Sequence, residues 1–279
     1  MPHFWRTESQ RELKRSMSEN QRKWYDKVKH ASGKLELIRQ NIREDDVQAI
    51  AEALKANTSL RALDLRENQI GDAGAQAIAE ALKLNTTLTE LGLGQNQIGD
   101  AGAHAIAETL KSNTMLAKLS LRRNQIGDAG AQAIAEALRV NTTLTELGFG
   151  CNHVGDPGAK AIAEAFKVNT TMTGLGLSEN AIGDAGAQAV AEALKVNTAL
   201  NWLFLHQNQI GDAGARAIAE VLKVNKKLRY LYLSNNFITN VGITALRQTG
   251  NTICQLDVAL SAARLAADVQ AQASVYQET

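Results

Sequence analysis

Hydrophobic and polar residues follow one pattern that recurs every 28 residues through most of the chain. Each unit opens with leucines spaced L-x-x-L-x-L, as at Leu60, Leu63 and Leu65. Because the last two leucines alternate with other residue types, this half predicts a short strand with one buried face. The second half carries apolar residues at helical spacing, as at Ile78 and Leu82. The pattern therefore predicts short strands that alternate with helices.

The regularity of the repeat predicts how the whole chain is organised. The segment GDAGAQAIAEAL at 71–82 recurs unchanged at 127–138, and a fixed period of this length is typical of a solenoid. We assign residues 32–258 to eight units and a degenerate ninth strand. Because the end units of a solenoid expose apolar faces, we expect residues 1–31 to form an N-terminal capping helix and residues 259–279 a C-terminal capping helix and tail.

A turn with the sequence Gly-Asp-Ala-Gly precedes the helix in most units. We expect Asp72 to be an N-cap, since aspartate accepts hydrogen bonds from the free amides at a helix start, and Gly74 to permit close helix packing. Asn85, just past the helix, is expected to be a left-handed or capping residue. Four such loops match glycosylation acceptors, which we interpret as copies of the repeat: Asn57, Asn85, Asn141 and Asn169.

An asparagine completes the strand pattern L-x-x-L-x-L-x-x-N-x-I, as in Leu60, Leu63, Leu65, Asn68 and Ile70. This pattern resembles the leucine-rich repeat family, and the unit is similar to the ribonuclease-inhibitor-like subclass and to the repeat region of nucleotide-binding leucine-rich-repeat receptors. The resemblance implies an α/β solenoid, a horseshoe with a concave parallel sheet and outer helices. It also implies a buried, hydrogen-bonded ladder formed by Asn68, Asn96, Asn124, Asn152, Asn180, Asn208 and Asn236.

Charge and composition argue against several classes of protein. Lys and Arg (30) balance Asp and Glu (29), so we expect no nucleic-acid partner, although the basic residues 1–30 leave an arm for nucleic acid or acidic lipid as an alternative to a cap. Two cysteines exclude a disulfide scaffold. No apolar run has the length of a membrane span, and the N-terminus lacks an apolar signal sequence. We expect a cytoplasmic monomer.

Enzyme motifs are missing from the sequence. There is no phosphate-binding G-x-x-x-x-G-K-[ST] motif, and Gly-x-Gly pairs fall within predicted strands. Cys151, His153 and Asp156 are close in sequence, and thiolate, imidazole and carboxylate groups all bind zinc. These residues correspond to the segment QNQIGD at 95–100, so we interpret them as variation between repeats. We predict no catalytic residue, no metal site and no cofactor.

The residues expected on the concave side vary between units, whereas the helix positions hardly change. A constant scaffold with a variable inner surface is what a binding solenoid would show. The predicted partner contacts are the aromatic group Trp202, Phe204, His206, Tyr230 and Tyr232 and the basic group Arg66, Lys118, Arg122 and Arg123. Alternatively, the aromatic residues cover the last units and pack against the C-terminal cap.

Glycine is frequent at the inner positions of units three, five and six. Because glycine weakens a strand, its recurrence needs a reason. Either these residues form a shallow floor that a partner backbone approaches closely, or they reflect plain duplication of repeats. The residues are Gly92, Gly94, Gly148, Gly150, Gly174 and Gly176.

These observations predict a non-catalytic protein–protein interaction module, not an enzyme, that binds a protein partner on its concave face. The family resemblance implies three alternatives: a GTPase-activating protein of the Ran-activator type, an inhibitor of a nuclease or another enzyme, and an immune-receptor-like sensor fragment. A consensus-like scaffold without a dedicated ligand is a fourth. The sequence leaves the identity of the partner open.

Overall fold

The computed structural model describes residues 12–258, in which nine parallel strands form one sheet in chain order. The strands are β1 (Gly33–Glu36), β2 (Leu60–Asp64), β3 (Glu90–Gly92), β4 (Lys118–Ser120), β5 (Glu146–Gly148), β6 (Gly174–Gly176), β7 (Trp202–Phe204), β8 (Tyr230–Tyr232) and β9 (Gln255–Asp257). The helices are α1 (Glu19–Lys29), α2 (Glu44–Ala56), α3 (Asp72–Leu82), α4 (Asp100–Leu110), α5 (Asp128–Leu138), α6 (Asp156–Phe166), α7 (Asp184–Val196), α8 (Asp212–Val224) and α9 (Asn240–Arg247). The alternation and the strand order confirm the predicted α/β solenoid with one parallel sheet.

Equivalent residues of successive units lie side by side across the sheet. Leu63 pairs with Leu91, and Trp202 pairs with Tyr230, each 28 positions later in the chain. This register turns every repeat position into a column that runs across neighbouring strands. Side chains therefore meet those of the preceding and following units.

Leucine, isoleucine and alanine build the core between the sheet and the helices. Leu63, Leu65 and Ile78 are almost completely buried, and so are their equivalents in the other units. Removing one such leucine costs about 2–5 kcal/mol because a cavity remains. Within the described residues, no helix is both long and apolar enough to cross a bilayer.

Helix α1 lies within the predicted N-terminal cap and packs against α2. Its Trp24, Tyr25 and Val28 are buried. The helix begins with a capping box in which the Gln21 backbone N–H donates to the Ser18 hydroxyl and the Ser18 N–H donates to the Gln21 side chain. The predicted C-terminal cap, residues 259–279, lies outside the described residues.

The asparagines at the strand exits link neighbouring units by hydrogen bonds. Asn68 donates its Nδ2 to the Leu37 and Leu65 carbonyls, and its Oδ1 accepts from the Ile42 N–H. The other six ladder asparagines repeat this arrangement, from Asn96 to Asn236. The ladder satisfies backbone groups that the turn leaves unpaired inside the molecule.

The aspartate of each turn caps the helix of the next unit, which corrects the expectation that Asp72 caps its own helix. Gly71 is the N-cap of α3 and Asp72 is the first helical residue. Its Oδ1 accepts from the Gly99 N–H (2.7 Å) and the Gly102 N–H (2.9 Å) at the start of α4. A Cβ on Gly102 would lie 2.7 Å from this oxygen, so glycine is required for the contact. Five later aspartates repeat it, Asp100 to Asp212.

Asn85 is a capping residue of the preceding unit, and the left-handed conformation considered for it is wrong. Its Nδ2 donates to the Leu54 and Asn57 carbonyls near the end of α2, while its Oδ1 accepts from the Thr87 and Leu88 N–H groups. The four asparagines of the glycosylation-like loops are buried. A folded chain therefore cannot present their amides to a glycosyl donor.

A left-handed residue stands immediately before each ladder asparagine and was not anticipated from the sequence. Gln95 has a φ of 53° and Arg123 a φ of 56°, and the same conformation recurs in the other units. Non-glycine residues adopt it at a cost, since the Cβ crowds the backbone. The turn is imposed by the strand exit and the ladder rather than by local preference.

Candidate functional site

The concave face presents two main columns of side chains that flank the second leucine of each unit. The first column consists of Lys34, Ala62, Glu90, Lys118, Glu146, Gly174, Trp202, Tyr230 and Gln255. The second consists of Glu36, Asp64, Gly92, Ser120, Gly148, Gly176, Phe204, Tyr232 and Asp257. A third column begins after each strand and contains Arg66, Arg122 and His206. These columns are the candidate binding surface.

The aromatic residues of β7 and β8 lie side by side and are here called the aromatic cluster: Trp202, Phe204, Tyr230 and Tyr232. The rings of Trp202, Phe204 and Tyr232 touch, and Tyr230 lies opposite Trp202 in the register of the sheet. Trp202 stacks on Phe204 with centroids 4.8 Å apart, and Phe204 meets Tyr232 edge-on at 4.8 Å. These are favourable distances for aromatic pairs. Tyr230 is 43% exposed and the other three are half-buried. The structure thus brings together the aromatic residues that the sequence placed side by side.

Trp202 lies across the neighbouring strand and covers Gly174. A Cβ added to Gly174 would lie 1.8 Å from Cε2 of the indole. The indole of Trp202 therefore occupies the space above Gly174. The expectation that a partner backbone approaches Gly174 closely is wrong. Gly176 is different, because its nearest neighbours outside its own strand are 3.9 Å from the Cβ position.

The remaining inner glycines have separate local neighbours. A Cβ on Gly92 would lie 2.9 Å from Asp64, one on Gly94 3.0 Å from the Arg122 carbonyl, and one on Gly150 2.9 Å from the Ser178 carbonyl. The six glycines therefore do not form one continuous floor. Only Gly148, which lines the groove, and the buried Gly176 have room for a Cβ without a close contact.

The basic residues are divided among carboxylates, so the expected basic group is not a single positive spot. Arg66 pairs with Asp64 at 2.6 Å, and Lys34 pairs with Glu36 at 2.6 Å. Lys118 lies between two carboxylates, 3.2 Å from Glu146 and 4.0 Å from Glu90. The hydrogen bond to Glu146 raises the pKa of Lys118. Exposed pairs of this kind stabilise by about 0–1 kcal/mol, so a partner can displace them cheaply.

A second charged group lies where β4 to β6 leave the sheet. Arg122 reaches across β5 to Glu179, with its Nη2 2.5 Å from Oε1. Cys151 lies beside this pair, and its hydrogen bond to Glu179 contributes most to lowering the pKa of that carboxyl. Arg123 also contacts the thiol. The group is thus internally paired.

Cys151, His153 and Asp156 do not come together in the described residues as a group that could hold a metal ion, and their side chains have different surroundings. Burial raises the pKa of the Cys151 thiol, so it is protonated at neutral pH. The Asp156 carboxylate accepts from the N–H groups of Gly183 and Gly186, and His153 is exposed. Within residues 12–258, no three His, Cys, Asp or Glu side chains are arranged to hold a metal ion.

His206 borders the aromatic cluster, with its ring centroid 6.3 Å from that of Phe204. Burial lowers its pKa, so the imidazole is neutral at pH 7. Its Nδ1 is buried and has no hydrogen-bond partner among the described residues.

An open cavity of about 350 Å³ joins the ion-paired residues to the aromatic cluster. Trp202 forms its wall at one end and Lys34 lies at the other. Asp64, Arg66, Lys118 and Glu146 line the space between them. The concave face is therefore a groove with charged sides and an aromatic end.

The repeats can now be compared with known proteins. A family model described as Leucine Rich repeat matches residues 56–79, 84–107, 112–135, 140–163, 168–191, 203–219 and 224–246. The chain belongs to the leucine-rich repeat family. Among curated proteins, none matches the sequence. The ribonuclease-inhibitor-like subclass stays a prediction.

Three solved structures are similar to this leucine-rich repeat protein, and the first, with a TM-score above 0.5, shares its fold. Internalin C2 from Listeria monocytogenes is 19% identical, with a TM-score of 0.53 over 87% of this chain and 93% of that one. Leiomodin-1 actin-binding site 2 is 27% identical, with a TM-score of 0.46 over 54% and 87% of the two chains. The tropomodulin C-terminal domain of Caenorhabditis elegans is 12% identical, with a TM-score of 0.40 over 63% and 89%.

Proposed function

We propose that this leucine-rich repeat protein is a non-catalytic interaction module that holds a protein partner in its concave groove. The observation that carries the proposal is the aromatic cluster, which lies on the face of the sheet opposite the buried leucines and the helices that pack on them within residues 12–258. Trp and Tyr contribute large contact areas with few rotatable bonds and are the commonest interface hot spots. The cluster is the main anchor in this proposal.

The scaffold supports this function because the fold itself holds the aromatic side chains in place before a partner binds. Strand pairing positions Trp202 and Tyr230 opposite each other, and ring contacts hold Phe204 between its neighbours. A preorganised surface loses little side-chain entropy on binding. The ion pairs around Lys118 then form the polar border of the contact.

Affinity capture with the full chain tests the proposal. The variant combines Trp202→Ala, Phe204→Ala, Tyr230→Ala and Tyr232→Ala. The matched control replaces four exposed apolar residues on another surface by alanine: Leu84, Val140, Val168 and Val224. Circular dichroism verifies that both variants fold.

The proposal predicts that proteins captured by the wild type are retained by the control and lost from the aromatic variant. Loss of two or more hot-spot residues lowers affinity by about 100-fold or more. Equal capture by the wild type and a folded aromatic variant would remove the aromatic cluster from the function.

A further inference from the structure

The charge on the concave face is unevenly distributed along the sheet. Strands β1 to β5 carry acidic and basic side chains that pair with one another. The inner positions of β6 to β9 that the structure describes hold a single charged side chain, Asp257. The aromatic end of the groove is therefore acidic, although the rest of the face is balanced.

Asp257 differs from the other inner carboxylates in its partners. Glu36, Asp64 and Glu146 each lie within 4 Å of a cation on their own or a neighbouring strand. Asp257 accepts one hydrogen bond, from the Ser234 hydroxyl at 2.8 Å, and makes no ion pair within residues 12–258. Arg229, which directly precedes β8, is exposed and does not pair with it.

The unpaired carboxylate stands next to the aromatic cluster. Strand β9 pairs with β8 so that Asp257 lies opposite Tyr232 and Gln255 lies opposite Tyr230. Neighbouring strands are about 4.8 Å apart, which places the carboxylate beside the rings. A cation that lies over an aromatic ring is attracted by the negative charge on the ring face. A carboxylate beside the ring neutralises the same cation and accepts its hydrogen bonds.

We propose that Asp257 and the aromatic cluster together bind an arginine side chain of the partner; this rests on the proposed function. The planar guanidinium stacks on an aromatic face and donates two parallel hydrogen bonds to a carboxylate, which a compact ammonium group does not match. The Ser234 hydroxyl holds the carboxylate in place for this contact. The partner segment is therefore basic.

Peptide selection on the immobilised full chain tests the inference. A random peptide library is selected against the wild type, and one enriched arginine peptide is also made with Arg→Gln. Dissociation constants for both peptides are measured with the wild type, with Asp257→Asn, with Glu136→Gln and with the quadruple aromatic variant described under the proposed function. Glu136→Gln is measured in place of a groove variant as the matched control, since Glu136 is an exposed carboxylate on helix α5 and lies outside the columns of the candidate binding surface.

The inference predicts that enriched peptides contain arginine and that Asp257→Asn weakens the arginine peptide at least tenfold. It further predicts that Asp257→Asn leaves the glutamine peptide within twofold, and that Glu136→Gln leaves both peptides within twofold. Such coupling between one arginine and one carboxylate is what a direct contact produces.

Two results would overturn the inference. Peptide binding that is lost in the quadruple aromatic variant but unchanged by Asp257→Asn would leave the proposed function intact and remove the arginine contact. Peptide binding that is unchanged by Asp257→Asn and by the aromatic variant would remove both proposals.

Discussion

At the scale of single residues, the close approach of Trp202 to Gly174 determines the shape of the candidate site. The indole occupies the space that any side chain at position 174 would need. Glycine at position 174 therefore leaves room for the Trp202 ring of the same chain. In the second column, Gly148 and Gly176 do have room for an added methyl group.

Gly174→Ala is expected to displace the indole and break its stacking on Phe204. The clash costs about 1–3 kcal/mol of stability, since a well-packed site accepts an added methyl group only by shifting. Near-ultraviolet circular dichroism and thermal unfolding measure both effects. Gly176→Ala is the control and should leave the aromatic spectrum unchanged; the same spectral change in both variants would contradict the assignment.

Gln95→Gly is expected to stabilise the chain by about 0.5–1 kcal/mol, because glycine adopts a positive φ without a Cβ clash. Gln95 is exposed and has a φ of 53°, so little side-chain contact is lost. Denaturant unfolding measures the change. The neighbouring exposed Gln97, which has no positive φ, should lose stability on the same substitution. A loss at both positions would show that the turn is unstrained.

At the scale of elements, the aspartates at the helix starts join successive units. Each carboxylate accepts two N–H groups of the following helix, so the start of one helix depends on its predecessor. This coupling lies along the solenoid axis, where stability is a sum of interactions between neighbours.

Asp128→Ala is expected to lower the free energy of unfolding by about 1–3 kcal/mol, since the Gly155 and Gly158 N–H groups lose a charged acceptor. Glu136→Ala, on the exposed face of α5, is the control and should change it by less than about 0.5 kcal/mol. Chemical denaturation of both variants checks the difference. Equal small effects would mean that water replaces the aspartate without cost.

Asp212 is the last aspartate of this series, and its contribution to the free energy of unfolding is expected to depend on pH. Burial opposes ionisation of Asp212, but hydrogen bonds from Thr239 and Gly242 prevail and lower its pKa below the ordinary 3.8. A depressed pKa contributes stability that is complete above the unfolded pKa and is lost as the pH falls through the folded pKa. The stability difference between the wild type and Asp212→Asn should therefore shrink from pH 7 to pH 3. A difference that is constant or grows would contradict this.

At the scale of the whole molecule, the sequence period predicts the architecture because equivalent positions repeat every 28 residues and must pair in register. The aromatic columns follow from the same register. The register does not determine the direction in which a side chain extends across the sheet. The positions of Trp202 over Gly174 and of Arg122 beside Glu179 were therefore not predicted.

The Asp72 contact was missed for a related reason. Local cap rules assign an aspartate to its own helix, whereas this one serves the next unit. A signal was present, since aspartate and the glycines of the following turn recur together in each unit. Contacts between repeats are invisible to rules that consider one segment at a time.

The substitution Tyr230→Ala tests most directly whether the aromatic cluster binds the partner. Tyr230 is 43% exposed and has no ring contact within the described residues, so Tyr230→Ala changes the scaffold little. The measurement is the dissociation constant of a captured partner for the wild type, Tyr230→Ala and the control Leu84→Ala. If the aromatic cluster binds the partner, Tyr230→Ala alone raises the dissociation constant about tenfold or more, equivalent to about 1.4 kcal/mol. An unchanged constant, or equal weakening by Leu84→Ala, would contradict it.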